Sequence, residues 1–251
     1  MWWRDDDAAA PSGRLDRLLE IAGDVPVALA VIPAEAELGL PARLGAAASR
    51  LGAFLPVTVL QHGWRHANHA PGPKKSEFPA ERPDTSVAGE LAAGRARLAA
   101  LFGARALSVL APPWNRLDRR FLPLLAGCGI RAVSRLGARR AAWPSPGVFE
   151  ANVHVDLVAW KAGRGFIGEG AALAGLLGHL RARRTGAADG SEPSGILTHH
   201  LVQDEAAGTF LGRLIGLAAG HPAVRWLAGG EVFSPALGPP EASGAALEAR
   251  P

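Results

Sequence analysis

The stretch Gln61-His62-Gly63-Trp64-Arg65-His66-Ala67-Asn68-His69, running on to Lys74-Lys75-Ser76-Glu77-Phe78, holds the residue types and spacing that could do chemistry. Two imidazoles four residues apart, His62 and His66, can face one metal ion, from one turn of helix or from a tight loop at a strand end. The related spacing His-Glu-x-x-His carries two zinc ligands with the glutamate as general base, so the bare pattern does not choose among metal enzymes. Gly63 stands at the glutamate position here. A hydrolytic site must then draw its base and its remaining protein ligand from elsewhere, and carboxylates are the natural supply. Trp2-Trp3-Arg4-Asp5-Asp6-Asp7 offers three of them in a row.

Positioning such groups needs a scaffold, and the apolar pattern describes one. Leu15, Leu18, Leu19 and Ile21 recur at helical spacing, and Val25 to Ile32 follows as an apolar run ended by Pro33, as in a strand buried on both faces. The alternation continues with helices expected over 34–51, 86–102, 117–128, 168–183 and 209–219. Strands are expected over 54–60, 107–110, 130–134, 151–158, 195–200 and 224–227. Strands alternating with helices imply a parallel sheet with helices outside, and about seven such units favour a barrel over an open sheet. The acidic run, His62, Pro113-Trp114 and His199 each follow the apolar body of a strand. In a parallel barrel the C-terminal strand ends share one face, so these motifs are expected to meet at one mouth.

Composition narrows the class. At 251 residues the chain has the length of one α/β domain, expected over 1–234, with a disordered Pro-, Ala- and Gly-rich tail over 235–251. The single cysteine, Cys128, excludes an intrachain disulfide and reads as a small buried hydrophobe. No apolar stretch of about 7–15 residues precedes the acidic run as a secretory signal would, and none reaches the ~18 of a membrane span, so a cytoplasmic chain without membrane contact is expected. The formal charge of +4 includes arginine clusters at 135–140 and 181–184. Without interleaved aromatics or a nucleic-acid motif they read as solvated faces, and no nucleic-acid partner is expected. Oligomeric state leaves no signature.

With these motifs assembled, the chain resembles the polysaccharide deacetylase superfamily, the group with the NodB homology domain known as carbohydrate esterase family four. The resemblance is to a bacterial branch that pairs Arg-x-Asp-Asp with His-Gly-Trp-x-His-x-Asn-His, Lys-Lys-x-Glu-Phe, Pro-Pro-Trp-Asn-Arg and a late His-His, and it spans residues 2 to about 202. It implies a distorted (β/α)7 barrel and metal-dependent hydrolysis of an N-acetyl group on a carbohydrate. On the family pattern Asp7, His62 and His66 would bind one divalent metal, zinc first, with cobalt, manganese or nickel as alternatives. Asp6 would be the general base. A shift by one would instead make Asp5 the base and Asp6 the ligand. The backbone N–H of Trp114 would stabilise the oxyanion, and His199 of Leu197-Thr198-His199 would protonate the leaving amine, with His200 as runner-up. Asp156 would tune that histidine. Asp5, Arg4, Trp64, His69, Pro113, Asn115, Arg116, Asp156 and His200 are thus expected around the substrate or behind the ligands.

The sequence also departs from the pattern. Many family members carry an arginine ahead of the third-motif prolines to hold the catalytic aspartate, and Ala111 stands there instead, leaving Arg4, Arg65 or Arg116 to supply the charge. That change keeps a second reading open, a carbohydrate-binding member that has lost catalysis. His154, His179 and His221 read as structural.

Overall fold

Short runs rich in valine, leucine and alanine become strands covered on both faces. The computed structural model describes residues 1–50 and 57–238. In it β1 (Trp2–Ala8), β2 (Val27–Val31), β3 (Val57–Gln61), β4 (Ala106–Leu110), β5 (Ala132–Val133), β6 (Phe149–Glu150), β7 (Val155–Asp156) and β8 (Gly195–Thr198) form one parallel sheet. Their order is β6-β5-β4-β3-β2-β1-β8-β7. β6 and β7 are the two ends of one stretch, the first paired with β5 and the second with β8, and a parallel bridge joins Leu136 to Val153 between them. Counted once, that stretch closes a distorted (β/α)7 barrel in which the eight labelled strands make seven staves. The single strand expected over 151–158 is therefore broken, its paired residues starting at Phe149 and its middle turned to reach two neighbours at once.

The helices α1 (Gly13–Ala22), α2 (Gly39–Arg50), α3 (Asp84–Phe102), α4 (Leu122–Gly127), α5 (Glu169–Thr185) and α6 (Glu205–Ala219) accompany the sheet. Helix α1 shows why. Leu15, Leu18, Leu19 and Ala22 form its buried stripe, and Ser12 caps it by accepting the Leu15 N–H at 3.1 Å. Burying each leucine of that stripe contributes roughly 1.5–3 kcal/mol. Strand alternation sorts the rest: Trp3, Val27, Leu29, Val31 and Ile196 pack under the helices, while Trp2, Ala28, Ala30, Leu60, Val109 and Leu197 fill the barrel interior.

Two expectations fail at the bottom of the barrel. Residues 224–227 are not a strand; Leu227 makes one hydrogen bond, its N–H to the Met1 carbonyl at 2.8 Å, and the chain then turns into α7 (Gly229–Val232) and α8 (Ser234–Leu237). With seven staves already closed there is no edge for another strand. Phe233 plugs the barrel instead, edge-on to Trp2 with ring centroids 5.6 Å apart. Order also continues past residue 234, because Pro235 is preset for the first turn of α8 and Ala236 and Leu237 pack on the interior cluster. The rest of the expected tail, 239–251, lies outside the described residues, as do 51–56 at the junction of the second helix and strand. No described helix is long and apolar enough to cross a membrane.

Candidate active site

The acidic run is the C-terminal half of β1, and pleating divides it. Trp2, Arg4 and Asp6 share the interior face, while Trp3 and Asp5 point toward the helices. Asp7 would follow Asp5 outward but for its left-handed backbone (φ 70°) and the register shift between Asp5 and Ala8, which re-aim it at the mouth. Asp5 is fully buried and accepts hydrogen bonds from the Thr198 hydroxyl at 2.6 Å and the His200 N–H at 3.0 Å, with His200 Nδ1 at 2.5 Å. Burial opposes charge on His200, but the Asp5 carboxylate outweighs it and holds that imidazole above its ordinary pKa. Asp5 and His200 are bonded to each other and not to the groups of the mouth. The two residues brace β1 against β8, so the structure places them behind the mouth.

Arg4 answers the question left by Ala111. Its Nε and Nη2 donate to the two Asp6 carboxylate oxygens at 2.8 and 3.0 Å, its Nη1 to the Ser134 carbonyl and hydroxyl at 2.9 and 2.8 Å, and its Nη2 also to Asn115 Oδ1 at 2.5 Å. Guanidinium and carboxylate are both buried. The pair is a planar two-point clamp, which lysine does not reproduce. Arg65 is exposed, and Arg116 donates to the Lys75 carbonyl at 2.7 Å.

His62 and His66 lie in a loop after β3, not on a helix. His62 Nδ1 sits 2.8 Å from the Ala111 carbonyl, which can only accept, so Nδ1 carries the proton and Nε2 presents a lone pair. That lone pair faces Asp7 Oδ1 at 3.1 Å, and His66 Nε2 approaches the same oxygen at 3.3 Å. The candidate ligand atoms of Asp7, His62 and His66 lie within 4.8 Å of one another. Two nitrogens and a carboxylate oxygen converging this closely could hold a cation, and the donor set suits a divalent transition ion. Burial works against the Asp7 carboxylate, but the imidazoles beside it, His62 first and then His199 and His66, hold it well below the usual carboxylate range. Burial opposes charge on His62 too, yet Asp6 and Asp7 raise it; His66 is lowered, by burial and then by His62.

The glutamate of the Lys-Lys-x-Glu-Phe motif sets this loop. Glu77 is fully buried and accepts the Trp64 and Arg65 N–H groups at 3.2 and 2.9 Å. Burial raises its pKa against the pull of those N–H groups. Gly63 has φ 62°, and a Cβ there would lie 1.7 Å from Glu77 Oε2 and 2.8 Å from Pro113. The turn therefore excludes every side chain. Trp64 is half-buried in the loop. His69 is exposed, and the charges that act on it are Arg82, Glu90 and Arg65 rather than the carboxylates of the mouth. It faces away because its N–H is tied to the Ser76 carbonyl at 2.9 Å in the Gly/Pro-rich excursion beyond the ligands.

Beyond β4, Pro113 packs on Gly63, and Trp114 and Asn115 both take left-handed backbone (φ 55° and 57°). Such conformations in residues other than glycine persist only where the surroundings enforce them. The turn is held by the N–H groups of Asn115 and Arg116, leaving the Trp114 N–H outside its pairing. The Trp114 ring packs on His66, centroids 4.3 Å apart. On the opposite wall His199 Nε2 lies 4.0 Å from Asp6 Oδ2 and Nδ1 3.7 Å from Asp156 Oδ1. Asp156 is fixed by the Trp160 indole N–H at 2.7 Å and the Val158 N–H at 3.0 Å. Burial raises its pKa, and His199 and Trp160 oppose the rise.

His154, His179 and Glu192 form another close group. His154 Nδ1 accepts the Gly195 N–H at 3.0 Å, so its Nε2 holds the proton and turns it toward Glu192 Oε2 at 3.4 Å, while the two rings stack at 3.3 Å and 15°. This is the geometry of a packed core pair.

No family model and no curated protein matches the sequence. Solved structures do match its fold. A candidate polysaccharide deacetylase from Mycobacterium smegmatis superposes with TM-score 0.59 at 19% identity, over 95% of this chain and 81% of that one. The Bc1960 peptidoglycan N-acetylglucosamine deacetylase, solved with an N-hydroxybenzamide, gives 0.56 at 15% over 92% and 86%. A family 4 acetyl xylan esterase from Clostridium thermocellum, solved with a cobalt ion, gives 0.51 at 13% over 92% and 89%. The chain therefore has the fold of the polysaccharide deacetylases and family 4 carbohydrate esterases.

Proposed function

We propose that this protein is a metal-dependent hydrolase of the polysaccharide deacetylase superfamily, removing an N-acetyl group from a carbohydrate. The observation that carries the reading is the meeting of Asp7 with His62 and His66, ligand atoms within 4.8 Å, beside an aspartate clamped by Arg4. Matching neighbours include a peptidoglycan N-acetylglucosamine deacetylase and a cobalt-containing acetyl xylan esterase, which fits both the reaction and the ion. Asp7, His62 and His66 would hold zinc, or cobalt, manganese or nickel in its place. When bound, such an ion polarises the acyl carbonyl and makes water a better nucleophile at neutral pH.

The chain supplies the rest. Asp6, with each oxygen already bonded to Arg4, takes the proton of the attacking water on a remaining lone pair. The Trp114 N–H points a donor at the developing oxyanion, a contribution whose loss typically costs about a hundredfold or more in rate. His199, steered by Asp156, gives a proton to the departing amine. Trp64 and Trp114 offer ring faces to the sugar. The Arg4 clamp would take the place of the missing third-motif arginine, which supports the hydrolase over an inactive binding protein.

The test couples metal analysis to acetate release from N-acetylglucosamine oligomers and peptidoglycan. About one divalent ion per chain is expected, with ion and turnover both lost in His62→Ala. Turnover by metal-free protein, or an Asp6→Asn variant as fast as the parent, would overturn the proposal.

A further inference from the structure

The mouth continues into a cleft that the reaction itself does not use. It has a volume of about 470 Å³ and runs from Asn115 between the β5 and β6 sides of the barrel to Trp143. That volume lies within the roughly 300–1,000 Å³ of small-molecule sites. Asn115 is the residue that accepts from Arg4, so the inner end of the cleft begins one side chain from Asp6.

Its lining carries more positive than negative charge: Arg119, Arg135 and Arg140 against Glu150. Arg135 is paired, its Nε and Nη2 donating to Glu150 Oε1 at 2.9 and 2.7 Å. Asn152 holds the Arg135 N–H at 2.7 Å and also donates to Glu150 at 2.9 Å. That guanidinium is thus fixed in place before any ligand arrives. Arg119 and Arg140 are exposed and make no ion pair among the described residues. Between them and the floor stands Trp143, 49% exposed, with its ring braced edge-on by Phe149 at 5.3 Å. An exposed indole held rigid at a cleft wall is a stacking platform for an apolar sugar face. Free guanidinium forks on either side suit a planar or tetrahedral oxyanion.

We infer that this cleft binds a negatively charged sugar residue adjoining the one deacylated at the mouth, with Trp143 stacking on its ring and Arg119 and Arg140 gripping its carboxylate or phosphate. The inference rests on the mouth being the reacting centre, and it narrows the substrate from any N-acetylated carbohydrate to an anionic one. Arg135 serves as a positioning residue, since Glu150 already occupies one edge of it.

Calorimetric titration of the zinc-loaded protein tests this with three probes: a neutral chitin tetrasaccharide, a hyaluronan tetrasaccharide carrying carboxylates, and a chitin tetrasaccharide bearing 6-phosphates. At least one anionic probe is expected to bind about tenfold or more tighter than the neutral one, with affinity falling as salt rises. The carboxylate and phosphate arms decide which oxyanion is preferred. In R119A/R140A the anionic advantage should vanish, and R119K/R140K should restore part of it. Equal affinity for neutral and anionic probes, or an advantage that survives R119A/R140A, would overturn the inference. Acetate release, followed in parallel on each probe, reports separately on the hydrolase reading. Turnover without charge preference sinks only the cleft, and arginine-dependent anion binding without turnover sinks only the hydrolase.

Discussion

Replacing Arg4 by methionine tests the clamp that the fold puts in place of the missing third-motif arginine. The change keeps an unbranched apolar stem and removes five hydrogen bonds, two of them to Asp6. The Asp6 carboxylate, 1% exposed, is then left without its counter-charge. Breaking a buried ion pair from one side typically costs about 3–5 kcal/mol. For a domain of this size each kcal/mol moves the melting temperature by roughly 2–4 °C, so a drop of roughly 6–20 °C is expected. R4M/D6N removes both charges and should regain part of the loss, with a coupling energy of about 2 kcal/mol in the double-mutant cycle. Denaturant unfolding of the four proteins reads this directly. Activity should fall at least about a hundredfold in R4M, because a carboxylate free to move by 1 Å loses that much. Effects of the two single changes that add within about 0.5 kcal/mol would refute the clamp, since independent sites behave that way.

Other outcomes follow from the same geometry. Asp5→Asn should lower the melting temperature while leaving metal content near one per chain, whereas Asp6→Asn should abolish turnover and retain the ion; turnover lost in Asp5→Asn together with the ion lost in Asp6→Asn would favour the alternative register of the acidic run. Gly63→Ala should weaken metal binding at least tenfold by mass-spectrometric titration, because its Cβ would lie 1.7 Å from a Glu77 oxygen. The fold should also lose stability in acid. Burial, then the neighbouring His154, lower the His179 pKa to about 4 from 6.5. The unfolded chain takes up that proton at higher pH than the folded one, so stability falls as pH drops from about 6.5 toward 4, by up to about 3 kcal/mol at 1.36 kcal/mol per unit. Urea midpoints at pH 7 and 4.5 should converge in His179→Phe relative to the parent, and an unchanged gap would count against this assignment.

The sequence by itself determined the parallel α/β character, most of the element order and the meeting of the polar motifs at one mouth, because short apolar runs and strand-end motifs are local signals. Tertiary structure alone decided the rest. The turn of Asp7 into the mouth depends on a bulge and a left-handed residue, which no periodicity announces. Arg4 could be chosen over Arg65 and Arg116 only once Ser134 and Asn115, from distant strand ends, closed around it. Barrel closure by 149–156 and the plug of α7 and α8 at the bottom were equally out of reach. Both follow from how many staves fill a circle, which is a property of the assembled sheet and not of any segment in it.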